Sequence, residues 1–302
     1  MKDRLISFLR WTERYTKTDM VYLVQAGFWV NLNIILMSVL GLFLSVALAN
    51  LLSPDSYGLY QYLLSLSGLV AAISLAGMNV AVAQAVARGY EGVLRTALYA
   101  QLRWAIVPAL LSGAGALYYF AQGNVPLGIG LAAIAVLTPL GNAFNTYVGF
   151  IEGRREFRRV FTLGGLINIA SYASVFLALV WVRDAAVLIV VNLGVNAAGM
   201  VYAYYRTVTW YQPNDKVDPA AVPYGRHLSV MSAFSVIVSQ LDSLLVFHFL
   251  GAAQLAVYSL ATMLPERVGM LSNFLGIASL PKFANQPLSS IRKSIIGKIL
   301  RV

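Results

Sequence analysis

The stretch "LLSPDSYGLYQY", residues 51–62, forms a short polar turn between two long apolar segments. A related stretch, "FLGAAQLAVYSL", occupies residues 249–260, and a shift of 198 residues places Leu52 on Leu250 and Tyr60 on Tyr258. Each turn precedes a new apolar segment, as at the start of the second helix of a hairpin. We therefore predict two related lobes, the second of which opens with the hairpin around residues 249–260.

The composition is that of an integral membrane protein. Of the 302 residues, 59% are hydrophobic and 11% are charged, and the mean hydropathy is +0.71, whereas an ordinary soluble domain has about 25% charged residues. The chain has no cysteine, which excludes disulfides and thiolate metal sites. No cleavable signal peptide is expected, because the first uncharged stretch is too long for one.

Eight segments are long and apolar enough to cross a bilayer, which takes about 20 residues. They are Met20–Pro54, Ser56–Ala87, two within Trp104–Ile151 separated by a turn at 122–126, Val160–Val182, Ala185–Tyr205, Leu228–Leu250 and Leu255–Leu280. The sequence therefore predicts an all-α integral membrane protein with about eight transmembrane helices.

The distribution of basic residues tests this number of spans independently. If the amino terminus is cytoplasmic, 20 of the 22 Lys and Arg residues fall in cytoplasmic segments, as the positive-inside rule requires. A missing span would reverse every later segment and scatter the cations. We therefore expect both termini on the cytoplasmic side of the cell membrane. The same sorting explains the net charge of +10 without nucleic-acid binding, since the cations are not clustered with aromatic residues that stack on bases.

The predicted organisation has five parts. They are a cytoplasmic interfacial segment (1–19), an N-terminal six-helix lobe (20–205), a cytoplasmic linker (206–227), the first two helices of a C-terminal lobe (228–281) and a basic amphipathic cytoplasmic segment (282–302). Each terminal segment fits a helix that lies on an anionic membrane surface or a helix that connects two spans.

Residues 52–88, "LSPDSYGLYQYLLSLSGLVAAISLAGMNVAVAQAVAR", resemble the early part of a transporter family. The family comprises the polysaccharide exporters and lipid-linked oligosaccharide flippases of the multidrug/oligosaccharidyl-lipid/polysaccharide exporter superfamily. The residues that carry the resemblance are Pro54, Tyr57, Gly58, Tyr60 and Gly77 in the first lobe, and Asp242, Tyr258 and Pro281 in the second.

This resemblance implies a protein that flips polyprenyl-pyrophosphate-linked oligosaccharides, such as O-antigen or capsule repeat units, to the outer leaflet by alternating access. Its partners would be the lipid-linked oligosaccharide, membrane lipids, and polymerase or glycosyltransferase components. Members of the family have twelve to fourteen helices in two bundles. We therefore expect the chain to be a fragment of a longer protein, or a half that needs a partner chain.

Polar residues within the predicted spans are candidates for the substrate path, because sugar hydroxyls and phosphate charge are costly to bury without partners. In the seventh span, Ser232, Ser235, Ser239 and Asp242 share one helical face. Asp242 is expected either to act as a switch coupled to H+ or Na+, or to be a structural residue near the bundle interior, paired with Arg267 or capped by hydroxyl groups.

Arg267 in the eighth span is the candidate phosphate ligand, since a guanidinium binds phosphate oxygens in a bidentate manner. The alternative for Arg267 is a structural pair with Asp242 or with its neighbour Glu266. Arg103 is expected to extend to the lipid headgroups, and His248 to lie at the external interface.

Side-chain amides and hydroxyls in the first lobe form a second set of candidates. They are Asn31 and Ser38 in the first span, Asn142 and Asn145 in the fourth, Asn168 in the fifth, and Asn192 and Asn196 in the sixth. Each alone is typical of a hydrogen bond between membrane helices. Their number, however, also suits a cavity that handles sugars.

We expect no catalytic residue, metal site or cofactor, because the sequence has no P-loop and no His-Glu-x-x-His motif. A cation-coupled multidrug antiporter of the same superfamily is the alternative of the same fold. A noncatalytic membrane scaffold and a membrane glycosyltransferase component are the alternatives of other classes. A glycosyltransferase would show paired acids near a membrane surface, whereas Asp215 and Asp218 are predicted to lie in a solvated linker.

Overall fold

The computed structural model describes residues 20–263 and residue 265, and it describes side chains within that part except those of residues 20–26 and 30. All regular elements in this part are helices. They are α1 (Met20–Leu51), α2 (Pro54–Ile73), α3 (Met78–Ala87), α4 (Val93–Ala121), α5 (Val125–Phe144), α6 (Thr146–Gly153), α7 (Phe157–Trp181), α8 (Ala185–Tyr211), α9 (Ala221–Leu250) and α10 (Ala252–Met263).

Six helices of the described chain are long and apolar enough to cross a membrane, or up to seven when the bent pair α2–α3 is one span. The predicted all-α integral membrane protein is thereby confirmed. The predicted eighth span, residues 255–280, begins within α10, and most of it lies outside the described residues. So do the predicted terminal segments, residues 1–19 and 282–302. The chain divides into two units at Leu260, and the description below concerns the first unit.

The second predicted span, Ser56–Ala87, is not continuous but breaks between α2 and α3, where the axis bends by 46°. Leu75 adopts a left-handed backbone conformation with φ of 59°. Gly77 allows α9 to approach, since a Cβ there would lie 2.6 Å from the amide nitrogen of Ser229. The Gly77 N–H donates to Ser229 Oγ at 3.0 Å, so a neighbouring helix satisfies a backbone group at the break.

Helix α9 packs antiparallel along α2 and α3. At the start of α9, Tyr224 contacts Gln84 and Ser229 contacts Gly77. Further along α9, Gln240 contacts Gly68, and the ring of Phe247 stacks on that of Tyr62 with centroids 3.7 Å apart. Beyond α9, the backbone of Ala252 touches Gly58, at which a Cβ would clash. The two related turns of the sequence therefore meet each other in the structure.

Several connections differ in length from the predicted ones. Helix α8 ends at Tyr211 and α9 begins at Ala221, so the non-helical connection covers 212–220 rather than 206–227. Helix α4 begins at Val93, eleven residues before the apolar segment that predicted it. Amphipathic ends extend these helices beyond the apolar segments, because the ends lie outside the hydrocarbon and need no apolar side chains.

Three connections rich in charged residues, 88–92, 154–156 and 212–220, meet at one end of the bundle, here called the basic end. Glu91 Oε1 accepts from Arg154 Nη2 at 2.6 Å and from Nε at 3.0 Å. Glu91 Oε2 accepts from the Asn214 N–H at 3.2 Å, and the Gly92 N–H donates to the Lys216 carbonyl at 2.9 Å. The sorting of cations in the sequence predicts this shared location.

The connection 212–220 is exposed at all its residues except Pro213 and Asp218, but it is also docked on the bundle. Asp218 is buried, and its Oδ2 accepts from Arg88 Nη2 at 2.7 Å. Asp215 is exposed and pairs with Arg95 at 3.2 Å. These ion pairs dock the connection on α3 and α4, because each carboxylate finds its cation on a neighbouring element.

Two apolar cores are stacked along the bundle. One lies toward the basic end and includes Met78, Leu94 and Phe150. The other lies toward the opposite end and includes Leu63 and Leu188. Between them the helices carry polar residues.

Candidate functional site

A polar layer separates the two apolar cores. The core at the opposite end reaches Val70 on α2, and the core toward the basic end begins at Leu75, in the break after α2. On α5 the corresponding limits are Ile134 and Ala143. The intervening residues line cavities rather than packing as a dry core.

Two helix breaks lie in this layer. One is the bend between α2 and α3. The other is a slight interruption at Asn145, which keeps a helical backbone conformation between α5 and α6, so that Val125–Gly153 forms one span. The Asn145 N–H still donates to the Gly141 carbonyl at 3.0 Å, and the Asn145 carbonyl accepts from the Val148 N–H at 3.0 Å. Interrupted helices are tolerated at membrane depth where the irregular backbone is buried in protein or lines a cavity.

Three adjoining cavities, with volumes of about 280, 170 and 260 Å³, surround Asn145, which lines all three. The first lies among α1, α6, α7 and α8, and the other two lie beside the α2–α3 break. Their polar lining residues include Asn33, Ser67, Ser74, Asn79, Gln101, Thr138, Asn142, Asn145, Tyr147, Glu152, Asn168 and Asn196. We call this set of cavities the polar cavity.

Several buried polar atoms of the polar cavity have no hydrogen-bond partner within the described protein. They are Asn33 Oδ1, Asn79 Oδ1, Gln101 Oε1, Asn142 Nδ2 and Tyr147 OH. Buried polar groups are nearly always paired with protein or with water. The cavity therefore presents both donors and acceptors to water or to a polar guest.

Other polar groups of the layer are held by specific bonds. Ser67 Oγ and Thr138 Oγ1 are 2.9 Å apart and join α2 to α5. Gln101 Nε2 donates to the Leu75 carbonyl at 3.2 Å, at the helix bend. These bonds fix the cavity walls, because each joins two different helices or a helix to the break.

Among the described residues that line the polar cavity, Glu152 is the one carboxylate. It lies near the end of α6, within the cavity that Asn145, Tyr147 and Asn168 also line. The rest of the lining consists of neutral amides, hydroxyls and apolar groups. Such a lining suits guests rich in hydroxyl groups, which both donate and accept hydrogen bonds.

The structure brings together part of the set of sequence-predicted amides. Asn142, Asn145, Asn168 and Asn196 all line the polar cavity. Asn192 lies one turn from Asn196 on α8 and donates to Tyr60 OH at 3.1 Å, as a bond between helices.

The first span places its predicted candidates elsewhere. Asn31 Nδ2 donates to the Gly27 carbonyl of its own helix at 2.6 Å. Neither Asn31 nor Ser38 lines the polar cavity. The α1 amide that does line it is Asn33, which sequence reasoning missed.

The polar stripe of α9 lies apart from the amides. Ser235, Ser239 and Asp242 are exposed in the described part of the chain. Asp242 Oδ2 accepts a bond from Tyr258 OH at 3.2 Å. Glu266 and Arg267, the predicted partners and phosphate ligand, lie outside the described residues.

The two remaining candidates are at surfaces. His248 is exposed near the end of α9, with its ring edge against Phe249. Arg103 is exposed on α4 and lines a separate groove, described below.

The polar residues of the cavity that sequence reasoning missed are Asn33, Ser67, Ser74, Asn79, Gln101, Thr138, Tyr147 and Glu152. Asn79 and Gln101 stand near the ends of apolar segments, where a polar residue attracts little attention. Asn79 and Gln101 could have been identified by their closeness in sequence to Gly77 and Arg103, because these two residues interrupt the apolar segments.

Comparison with known proteins gives one match. A family described as "Polysaccharide biosynthesis protein" matches residues 23–286. Comparison with curated proteins finds no match, and comparison with solved structures finds none either.

Proposed function

Because the chain belongs to the polysaccharide biosynthesis protein family, we propose that it moves lipid-linked oligosaccharides from one membrane leaflet to the other. The family and the long apolar helices assign the chain to the multi-pass membrane transporters related to polysaccharides. The proposal adds the cargo, the flipping reaction, and a placement in the cell membrane with the basic end toward the cytoplasm.

The observation that carries the proposal is the polar cavity at the two helix breaks. Its unpaired amide and hydroxyl atoms, such as those of Asn142 and Tyr147, are buried between helices of a membrane protein. A sugar that leaves water loses hydrogen bonds at a cost of several kcal/mol unless a site replaces them. The neutral lining supplies replacements for hydroxyl groups.

Broken helices also suit movement. Transporters commonly build their sites from discontinuous helices and rock one bundle against another around them. Here the α2–α3 bend lies against α9, the helix that begins the predicted second lobe, through Gly77 and Ser229. A displacement of α9 would therefore act directly on the wall of the polar cavity.

Coupling to a gradient of H+ or Na+ belongs to the same proposal. Glu152 lines the polar cavity, whereas Asp242 is exposed and hydrogen-bonded to Tyr258. The coupling is tested by comparing transport rates in vesicles with and without an imposed pH or sodium gradient. Equal transport rates in all of them would overturn the proposed coupling.

The cargo is tested in proteoliposomes with a polyprenyl-pyrophosphate oligosaccharide whose sugar carries a fluorescent group, read by quenching in the outer leaflet. Asn142→Ala is expected to slow flipping about tenfold, since one or two hydrogen bonds to the cargo are lost. Folding should be preserved, because Asn142 Nδ2 has no protein partner in the described chain.

Asn50→Ala is the matched control, because Asn50 is exposed and bonds only to the Val46 carbonyl of its own helix. Equal flipping rates for the Asn142 and Asn50 variants would overturn the role of the polar cavity. A parent protein that transports a lipophilic cation and not the labelled oligosaccharide would favour the multidrug antiporter.

A further inference from the structure

A second concave site lies on the outer surface of the bundle, in a groove of about 490 Å³ between α4 and the start of α9. It is lined by Thr96, Tyr99, Ala100, Arg103, Trp104, Val107, Val222 and Arg226. None of these residues lines the polar cavity. The groove is therefore separate from the proposed transport site.

Two arginines face this groove without an acidic partner. Several other arginines near the basic end pair with carboxylates: Arg88 pairs with Asp218, and Arg154 pairs with Glu91. Arg103 and Arg226 make neither an ion pair nor a hydrogen bond within the described part of the chain. Two like charges in one groove favour an anion that both can contact.

The position of the groove along α4 corresponds to the level of the lipid headgroups when Ala121 lies at the opposite edge of the hydrocarbon core. Arg103 is 18 residues from Ala121 at the far end of α4, which corresponds to about 27 Å along the helix. The hydrocarbon core of a bilayer is about 30 Å thick. Trp104, whose Nε1–H donates to the Ile73 carbonyl at 2.8 Å, is of the residue type that accumulates at this level.

The groove continues into an apolar surface. Below Arg103, the α4 side chains Ile106, Val107 and Leu110 are exposed, as expected for residues that face acyl chains. An occupant that fits both parts has a negative head and an apolar tail. A soluble anion would use the arginines and leave the apolar surface unused.

We propose that the groove between α4 and α9 binds a phosphate-bearing lipid, with Arg103 and Arg226 on the phosphate and the acyl or prenyl chain along α4. Because α9 contributes Arg226, the bound lipid joins α9 to α4 at the basic end. The inference does not require the proposed transport reaction, since it concerns binding at a surface groove and is tested by binding alone.

The test is native mass spectrometry of the full chain in detergent, titrated separately with phosphatidylglycerol, phosphatidylcholine, a polyprenyl monophosphate and inorganic phosphate. The parent protein is expected to retain phosphatidylglycerol over phosphatidylcholine. Arg103→Gln with Arg226→Gln is expected to weaken that retention about tenfold or more, because charge-assisted bonds are lost.

Arg183→Gln is the matched control, because Arg183 is an exposed arginine between α7 and α8, at the end opposite the groove. Arg103→Lys with Arg226→Lys keeps the charge but removes the bidentate geometry, and it should retain the lipid at an intermediate level. All three variants should elute and melt like the parent, since the substituted side chains are exposed.

The outcomes separate the sources of the phosphate. Retention of polyprenyl monophosphate in place of phosphatidylglycerol, with the same dependence on both arginines, would support the site and name the carrier lipid as its occupant. Equal retention by the parent and the double glutamine variant, or equal retention of phosphatidylcholine, would overturn the proposal. Displacement of the lipid by inorganic phosphate alone would overturn it in favour of a soluble anion.

Discussion

Glycine residues fix how closely the broken helices approach each other. Gly149 on α6 faces the backbone of Asn79 on α3, and a Cβ at Gly149 would collide with the Asn79 carbonyl. Gly149→Ala is therefore expected to destabilise the protein by about 1–3 kcal/mol, the usual cost of overpacking. The measurement is the melting temperature in detergent.

Gly113→Ala provides the comparison, because a Cβ at Gly113 on α4 meets nothing within 4 Å. In a helix interior, alanine is more favourable than glycine by about 0.5–1 kcal/mol. The Gly113 variant should therefore melt at or above the parent's temperature. Equal losses in both variants would show that the contact with Asn79 is not what requires glycine.

Some cavity residues could be predicted from the sequence, and others could not. Amides in apolar segments stand out, so Asn142, Asn145, Asn168 and Asn196 could be named as candidates. Asn31 and Asn33 point about 200° apart on one helix, so they face different sides of it. The sequence does not show which of these two sides faces the cavity. Asn33 lines the same cavity as Trp29 and Phe161, whose rings are in contact at 5.1 Å, and the sequence of α1 alone does not contain that contact.

At the scale of elements, the basic end depends on Glu91, which bonds both Arg154 and the connection 212–220. Glu91→Gln removes the charge while keeping the shape. Since the Glu91 side chain is only 12% exposed, we expect a loss of roughly 1–2 kcal/mol. Thermal unfolding at low salt measures it.

Glu156→Gln is the control for that change, because Glu156 pairs with Arg159 only three residues away on a more exposed surface. Pairs at this spacing contribute roughly 0.2–0.5 kcal/mol. A Glu156 variant as unstable as the Glu91 variant would contradict the assignment of Glu91 as the residue that joins the connections.

The helix break between α2 and α3 could not be predicted as an element. The sequence of 74–77 contains one glycine and no proline, and Leu75 carries the left-handed conformation. The break is stabilised by Gln101 on α4, which donates to the Leu75 carbonyl, and by Ser229 on α9, which is 152 residues distant from Gly77. Local sequence therefore does not determine it, and the tertiary contacts do.

At the scale of the whole molecule, the path of the chain makes a direct prediction. The chain has no native cysteine, so single cysteines can be introduced for labelling. Tyr90→Cys and Lys216→Cys, at the basic end, should react with an impermeant reagent from one side of the membrane. Gln122→Cys and Arg183→Cys, at the opposite end, should react from the other side.

All four parent residues are exposed, so accessibility should not limit the reaction. Labelling of Tyr90→Cys and Lys216→Cys from different sides would contradict the shared location of these connections. Spans and their alternation could be predicted from the sequence, because length, apolarity and the sorting of cations are local properties. The docking of α9 on α2 and α3 could not, since it depends on matching surfaces far apart in the chain.

The contact of Gly58 with Ala252 also has a consequence for biosynthesis. Ribosomes add about 5–20 residues per second, and amino-terminal parts fold first. The glycine-bearing side of α2 and α3 therefore waits on the order of ten seconds or more after its insertion before α9 and the second turn emerge to cover it. During that interval the surface of α2 and α3 that α9 later covers is exposed to lipid. Membrane chaperones and quality-control proteases therefore have access to this surface at that stage.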